Sequence, residues 1–518
     1  MHASKSMSKL TSLRDFKAVL FLLALFWFIA ISTYCDTFKA IPSAYDEKRV
    51  NQLILIFLSL IYILASRQIR KEILSIFIQN RVAIYAFIIL FTLGLTSSFY
   101  SALPIYAFTE LFTYIGLISL ALVTASIGKR HLVLVISSIV LSTWIFTIIF
   151  EIQFLTSYFA ALLTDSKVQA NLLFPGFSNV RFFNQFQIFT FPFLLIPLIT
   201  FQYKNKAWEY LSYLIVCIWI LILLASQSRG AIATLIASTI IIGILYRGSA
   251  KPILKVFAVC FTIGSILYWI LFLILPHLLG LDKFFQGIIN RYTTSGRIEL
   301  WTDALNLVQQ KPVLGTGPLH FSYYVKGAHA HPHNSIMQFL SEFGAPFTVI
   351  LILVACYYLQ IWIRKSLLLP RASQSKIPLK SITTSDLIST NRVWILLFYS
   401  FILGVIYSQV SGVLAMPLPQ TMLAIISGLM LSLGSFKPIP ANHYTLPQSV
   451  IIQISAGLSL IILFACVTPH LTTRIMSPFF GSYLPAYNSG VRYWQLGGLI
   501  QKPRESAQFL NTQPIPTN

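Results

Sequence analysis

The chain has 518 residues, of which 56% are apolar and only 10% charged, whereas a soluble domain carries about 25% charged side chains. So few charges cannot cover a water-exposed surface, which excludes a soluble enzyme, a disordered regulator and a disulfide scaffold and makes lipid the solvent for much of the chain. The net charge of +22, from 37 basic and 15 acidic residues, fits basic cytoplasmic loops that hold orientation rather than nucleic-acid binding.

Apolar stretches long enough to span a bilayer occur at Ala18–Tyr34, Val50–Ser66, Val82–Ser98, Pro104–Ile127, Leu132–Ile152, Phe186–Gln202 and Glu209–Ser226. They continue at Ala231–Tyr246, Val256–Leu278, Asn334–Ile363, Val393–Gly412, Thr421–Gly434 and Val450–Val467. The fold class expected is therefore an all-α polytopic membrane protein with about 12–13 transmembrane helices. The first stretch follows Lys5, Lys9, Arg14 and Lys17, and no small-residue cleavage site follows it, so it reads as a retained helix. With the N-terminus in the cytoplasm, Arg67, Arg70, Lys71, Lys129, Arg130, Arg247, Lys251, Arg364 and Lys365 all fall in cytoplasmic loops. The other side then receives Phe154–Gln185, the large segment Gly280–His333 and a tail from Thr468 to Asn518. We expect one membrane domain over residues 1–467, including the 280–333 loop, and a separate tail over 468–518. The five cysteines are scattered and form no CxxC, which argues against a metal or redox site.

Polar residues at the external face carry the functional information in so apolar a chain. Arg181-Phe-Phe-Asn184-Gln185 enters a span from outside and could line a cleft. Ser226-Gln-Ser-Arg229-Gly230 separates two spans; Arg229 is either a snorkelling anchor or an anion site beside a helix start. Arg291-Tyr-Thr-Thr-Ser-Gly-Arg297 opens an amphipathic helix over Ile298–Gln309, with Ile298, Trp301, Leu305 and Val308 on one face and Ser295 as the expected N-cap. Gly315-Thr-Gly317-Pro318, with His320 nearby, marks a tight turn. His329-Ala-His331-Pro-His333-Asn334 then leads straight into an apolar helix. Three histidines could bind metal. No acid or cysteine stands beside them in sequence, however, and Pro332 breaks helical spacing, so a neutral His acting as general base is the better reading. Asn334, Gln338 and Glu342 recur every four residues below it, and Glu342 in an apolar run must be paired, protonated or functional.

Gly296-Arg297 with Trp301, then His333-Asn334, then Glu342-Phe-Gly344, in that order, resemble the signature of the O-antigen ligase and polymerase superfamily of bacterial inner-membrane enzymes. Ser228-Arg229-Gly230 and the Asn179–Gln187 segment fit the same pattern, which covers about Asn179 to Gly344. The resemblance implies a glycan donor on polyprenyl (undecaprenyl) diphosphate, a hydroxyl acceptor, and an active site facing the periplasm. It implies no cofactor and no metal, and nucleic acid is not expected as a partner. By position, Arg229, Arg297 and His333 are the expected catalytic residues: the arginines grip the diphosphate and His333 activates or positions the acceptor. Arg181, Arg291, His331, Asn334 and Glu342 are the expected substrate-binding residues. Lipid A–core is the first acceptor expected; a second polyprenyl-linked glycan (a polymerase) or a pilin hydroxyl (a protein O-oligosaccharyltransferase) needs the same donor site. A transporter or flippase is the alternative from another class. It predicts charges near mid-membrane and paired broken helices, which the sequence does not display.

Overall fold

The computed structural model describes residues 13–31, 44–164, 173–177, 179–203, 205–281, 296–325, 330–368, 377–378, 391–433 and 446–480. Long helices dominate these segments: α1 (Leu13–Phe26, continued by a π-helical turn to Ile31), α2 (Ala44–Ala65), α3 (Arg67–Gln79), α4 (Arg81–Phe99) and α5 (Pro104–Leu163). There follow α6 (Val180–Thr200), α7 (Lys206–Ala225), α8 (Arg229–Tyr246) and α9 (Lys251–Trp269), which runs on through a π-helical turn to Leu278. Next come α10 (Arg297–Gln310), the single turn α11 (Phe321–Tyr324), α12 (Ser335–Phe343) and α13 (Ala345–Leu368), and finally α14 (Asn391–Tyr407), α15 (Pro417–Leu433) and α16 (Leu446–Phe480). A two-residue parallel bridge pairs Phe201–Gln202 with Ile377–Pro378.

Eight helices among the described residues are long and apolar enough to cross a membrane, and three shorter apolar helices accompany them. Two of the eight are double-length. At 1.5 Å per residue, the 60 residues of Pro104–Leu163 and the 50 of Arg229–Leu278 each suffice for two crossings. The first bends at His131 (φ −133°, ψ 40°), directly after the Lys129-Arg130 pair that the sequence places in a cytoplasmic turn. The second turns at Arg247 (φ 42°) and the 3₁₀ turn Arg247–Ala250. The protein is an all-α polytopic membrane protein, and the thirteen stretches read from sequence each find a helix.

Burial orders the bundle. The α6 span is 89% buried, whereas that of α13 is 11% buried, so α6 is the central post and α13 an outer one. Around α6, Phe146, Phe150, Phe183 and Trp219 pack edge to face, with Phe150 and Phe183 stacked at 4.3 Å. Ile244 (67% exposed) and Ile461 (65%) face outward, as lipid-facing side chains do.

Two local expectations are corrected. The Asn334–Ile363 stretch is not one helix: Gly344, at φ 85°, breaks it into α12 and α13. On α10 the protein-facing stripe is Leu300, Ala304 and Leu307, which pack with Phe321 and Val325, while Ile298 and Leu305 stay exposed. The expected stripe had tracked hydrophobicity, but the helix carries two apolar faces, and the smaller one, built on Ala304, allows the closer approach. The expected N-cap Ser295 lies outside the described residues; Gly296, at φ 72°, occupies the cap position of α10.

Candidate active site

Three arginines stand in the first turns of three helices. Arg229 is the first residue of α8, Arg297 the first of α10, and Arg181 the second of α6. Cations at helix N-termini face the positive end of the macrodipole, an unfavourable placement. Neither Ser228 nor Gly296 caps its helix with a side-chain hydrogen bond, so the first N–H groups there receive no side-chain acceptor from the cap. The arginines also meet one another. The Arg297 Nη2 lies 3.7 Å from where a Cβ on Gly230 would sit, an ordinary contact distance that places the Arg297 guanidinium beside the first turn of α8. Burial, then the charge of Arg181, holds the Arg297 guanidinium below its usual range; Tyr407 partly offsets this, and Arg229 lowers it further. A guanidinium so placed stays charged, so mutual repulsion is built into the rim.

Tyr407, the last residue of α14, is 2% exposed and lies beside the arginines. Its hydroxyl is 3.4 Å from the Ser228 Oγ, and it interacts electrostatically with Arg181 and Arg297. A polar network ties these helix ends together: Asn184 donates to the Ser226 Oγ (2.9 Å) and Gln185 to the Ser411 Oγ (2.8 Å).

The histidine turn is held from both sides. The Trp301 indole N–H on α10 donates to the Pro332 carbonyl at 3.0 Å, which couples the arginine-bearing helix to the turn. Asn334 caps α12, its Oδ1 accepting from the Met337 N–H, while its Nδ2 donates to the Gln409 carbonyl at 3.1 Å. Ser335 donates to the Ser408 carbonyl through both its N–H and its hydroxyl. The His331 ring is buried against Gly412, where a Cβ would lie 2.2 Å from Cε1. His331 Nδ1 accepts from the His333 N–H at 3.2 Å, and the two rings sit 4.2 Å apart at 66°. His333 is half-buried and adopts φ 54°. Gln227, two residues before Arg229, adopts φ 52°. Such non-glycine conformations cost of order 1–3 kcal/mol each and persist only where surrounding contacts over-determine them.

Gly315 and Gly344 serve a separate knot. A Cβ on Gly315 would lie 2.4 Å from the Glu342 carbonyl carbon, and one on Gly344 would lie 2.1 Å from the Val313 oxygen. Backbone bonds from Thr316 to Ser341, from Gly317 to Glu342 and from Ala345 to Pro312 lock the Pro312–His320 loop onto the α12–α13 break. Glu342 is fully buried, and its Oε1 accepts from the Phe321 N–H at 3.1 Å. His320 is fully buried too: its Nε2 accepts from the Leu103 N–H, so its Nδ1 carries the proton given to the Pro318 carbonyl.

Of the expected site residues, Arg181, Arg229 and Arg297 gather on one side, with the turn that carries His331, His333 and Asn334 joined to them by the Trp301–Pro332 hydrogen bond. Glu342 does not join this group; the protein engages it within the knot, which is how a carboxylate in an apolar run is accommodated. Arg291 and His329 lie outside the described residues. Sequence reading missed the Ser408–Met416 loop, which joins α14 to α15 and meets Gln185, His331, Asn334 and Ser335. Its only sequence signal is a polar run, Tyr407-Ser-Gln-Val-Ser-Gly412, closing an apolar stretch.

Residues 213–354 match the model of the O-antigen ligase family. The matched span takes in Arg229, Arg297, the histidine turn and the knot. No curated protein matches the chain.

Proposed function

We propose that this membrane protein of the O-antigen ligase superfamily transfers a glycan from polyprenyl (undecaprenyl) diphosphate to an acceptor hydroxyl at the periplasmic face of the bacterial inner membrane. The observation that carries the reading is the convergence of Arg181, Arg229 and Arg297 at three helix starts, coupled by the Trp301–Pro332 hydrogen bond to the histidine turn. A dianionic diphosphate relieves the repulsion among the arginines and accepts hydrogen bonds from their guanidinium groups. The acceptor O–H attacks the anomeric carbon, and His333 takes its proton. The bond from that carbon to the phosphate oxygen breaks, and the arginines stabilise the charge that develops on the departing diphosphate. Charge stabilisation in this scheme comes from the guanidinium groups, so the transfer calls for no metal.

Lipid A–core is the acceptor proposed first. The test is a deletion strain whose lipid A–core, polyprenyl-linked glycan and glycosylated pilin are resolved together. Long-chain donor accumulating beside uncapped lipid A–core supports ligation. Single repeat units on lipid A–core redirect the reading to a polymerase, and selective loss of pilin glycan to protein glycosylation. No change in any of the three overturns glycan transfer and favours a transporter.

A further inference from the structure

A fully buried arginine lies outside the constellation just described. Arg49, on the second turn of α2, has 0% exposure. A buried cation at the end of a membrane helix is costly and is retained where its donors are used. Its Nη2 donates to the Ala415 carbonyl at 2.7 Å and to the Tyr45 hydroxyl at 3.2 Å; its Nη1 donates to the Gln420 Oε1 at 2.8 Å and to the Gln52 Oε1 at 2.6 Å. Gln420, oriented in this way, donates in turn to the Leu414 carbonyl at 2.6 Å. Arg49 thus fixes two successive carbonyls of the Ser408–Met416 loop, one directly and one through Gln420.

Those carbonyls sit immediately beyond the floor of the histidine turn. The Ala415 and Met416 N–H groups both close onto the Gly412 carbonyl, and Gly412 is where the His331 ring rests. His331 in turn accepts the His333 N–H. On the other flank Gln185 holds Ser411. The loop is therefore held from α6, from α5, where the Tyr114 hydroxyl donates to the Leu414 carbonyl at 3.1 Å, and from α2, where Arg49, with the Tyr45 hydroxyl beside it on the Ala415 carbonyl, is the clamp.

We propose that Arg49 is a positioning residue for the transfer reaction: by fixing the Ser408–Met416 loop it sets the height and tilt of the His331–His333 turn relative to the arginine rim. The inference rests on the glycan-transfer reading above. It predicts a defect in turnover rather than in donor capture, because Arg181, Arg229 and Arg297 lie on helices that Arg49 does not clamp.

The experiment is steady-state transfer by the full chain in detergent, with each rate normalised to folded protein and a thermal unfolding midpoint taken for each variant. Arg49→Met is expected to lower kcat by about 10- to 100-fold, the scale of a small misplacement of a reacting group, with the KM for the polyprenyl-diphosphate donor moved less than about threefold. Arg49→Lys, which keeps the charge but loses the fork, is expected to recover the unfolding midpoint and only part of kcat. Gln420→Leu removes the Leu414 contact and the acceptor of the Arg49 Nη1 and Gln52 Nε2 donors but leaves the Arg49 bond to the Ala415 carbonyl; it gives a smaller kcat loss, so the inference stays testable where Arg49→Met does not accumulate. Unchanged kcat per folded molecule in all three variants, with only the midpoint lowered, makes Arg49 a fold anchor and overturns the inference. A raised donor KM with kcat intact overturns it too. His333→Ala is run alongside. If the native chain transfers no glycan, the glycan-transfer reading falls and this inference with it; if His333→Ala transfers like the native protein, the role of the histidine turn and this inference fall; if His333→Ala is dead while the Arg49 variants are unaffected, only the inference falls.

Discussion

The arginine rim and the Pro312–His320 knot come from the same stretch of sequence motif and could hardly differ more in how their polar groups are placed. In the knot the polar groups answer to one another: Glu342 takes the Phe321 N–H, His320 takes the Leu103 N–H, and glycines let two backbones touch. At the rim, like charges face one another across helix starts, with Arg229 and Arg181 exposed and Arg297 half-buried. A satisfied buried network stabilises one geometry; an array of repelling cations is improved by an anion. Motif residues therefore divide into those that build the platform and those that stand on it, and spacing alone does not separate the two.

Substitutions at the rim and the turn should separate function from folding most sharply. Arg229→Ala, Arg297→Ala and His333→Ala are each expected to lower transfer by about 10²- to 10³-fold, the scale of removing one group that stabilises developing charge or moves a proton, while the protein still accumulates in the membrane. Full transfer in all three would falsify the proposed site. Arg229→Lys sharpens the point: if a bidentate grip on diphosphate matters, a point charge restores little activity, and an active Lys variant reduces the rim to general electrostatics.

The knot should behave in the opposite way. Glu342→Ala strands the buried Phe321 N–H and is expected to destabilise the protein by about 1–3 kcal/mol, read as a lower unfolding midpoint, with transfer per folded molecule nearly unchanged. Glu342→Gln retains an acceptor and should be milder. If Glu342→Gln folds normally but loses transfer, the carboxylate belongs with the rim, and the division drawn above is wrong.

Between the two regions lies Gly412, whose missing side chain is where the His331 ring rests. Gly412→Ala places a methyl group at 2.2 Å from Cε1, so the ring must move. Transfer is expected to fall by about tenfold with the donor KM unchanged, because the rim is untouched. Unaltered kcat means that the seat of His331 does not govern the turn.

Helix existence was legible throughout because hydropathy over some twenty residues is a strong signal once lipid is the solvent. The turn at Lys129-Arg130 was legible as charge, and the helix breaks there at His131, whose φ of −133° and ψ of 40° are non-helical. The break at Gly344 was not, since a glycine inside an apolar run is ambiguous until the Val313 carbonyl is seen against it. The rim was legible because charged residues at span boundaries are few. Arg49 and the Ser408–Met416 loop were not: the contacts of Arg49 with Ala415 and Gln420 span more than 360 residues of sequence, and no local pattern encodes a contact of that range. The role of Glu342 was half legible, its pairing being expected but its partner a backbone N–H that carries no sequence signature.

The smallest effect expected is the most direct probe of the rim's electrostatics. Inorganic pyrophosphate carries the donor's anionic group without its glycan or prenyl chain. Bound to the native state alone, at a few times its Kd, it stabilises by about 1 kcal/mol, which for a chain of this size corresponds to roughly 1–2 °C or less in the unfolding midpoint. Chloride at matched ionic strength screens the arginines without bridging them, so it should give a smaller shift. Arg297→Ala should abolish the difference between the two salts, because Arg297 is the guanidinium that both Arg181 and Arg229 act upon. In that variant the midpoint without added anion should itself rise slightly, since one of three repelling charges is gone from a helix start. A pyrophosphate shift that survives Arg297→Ala, or that chloride reproduces, means that the three arginines do not act as one anion site.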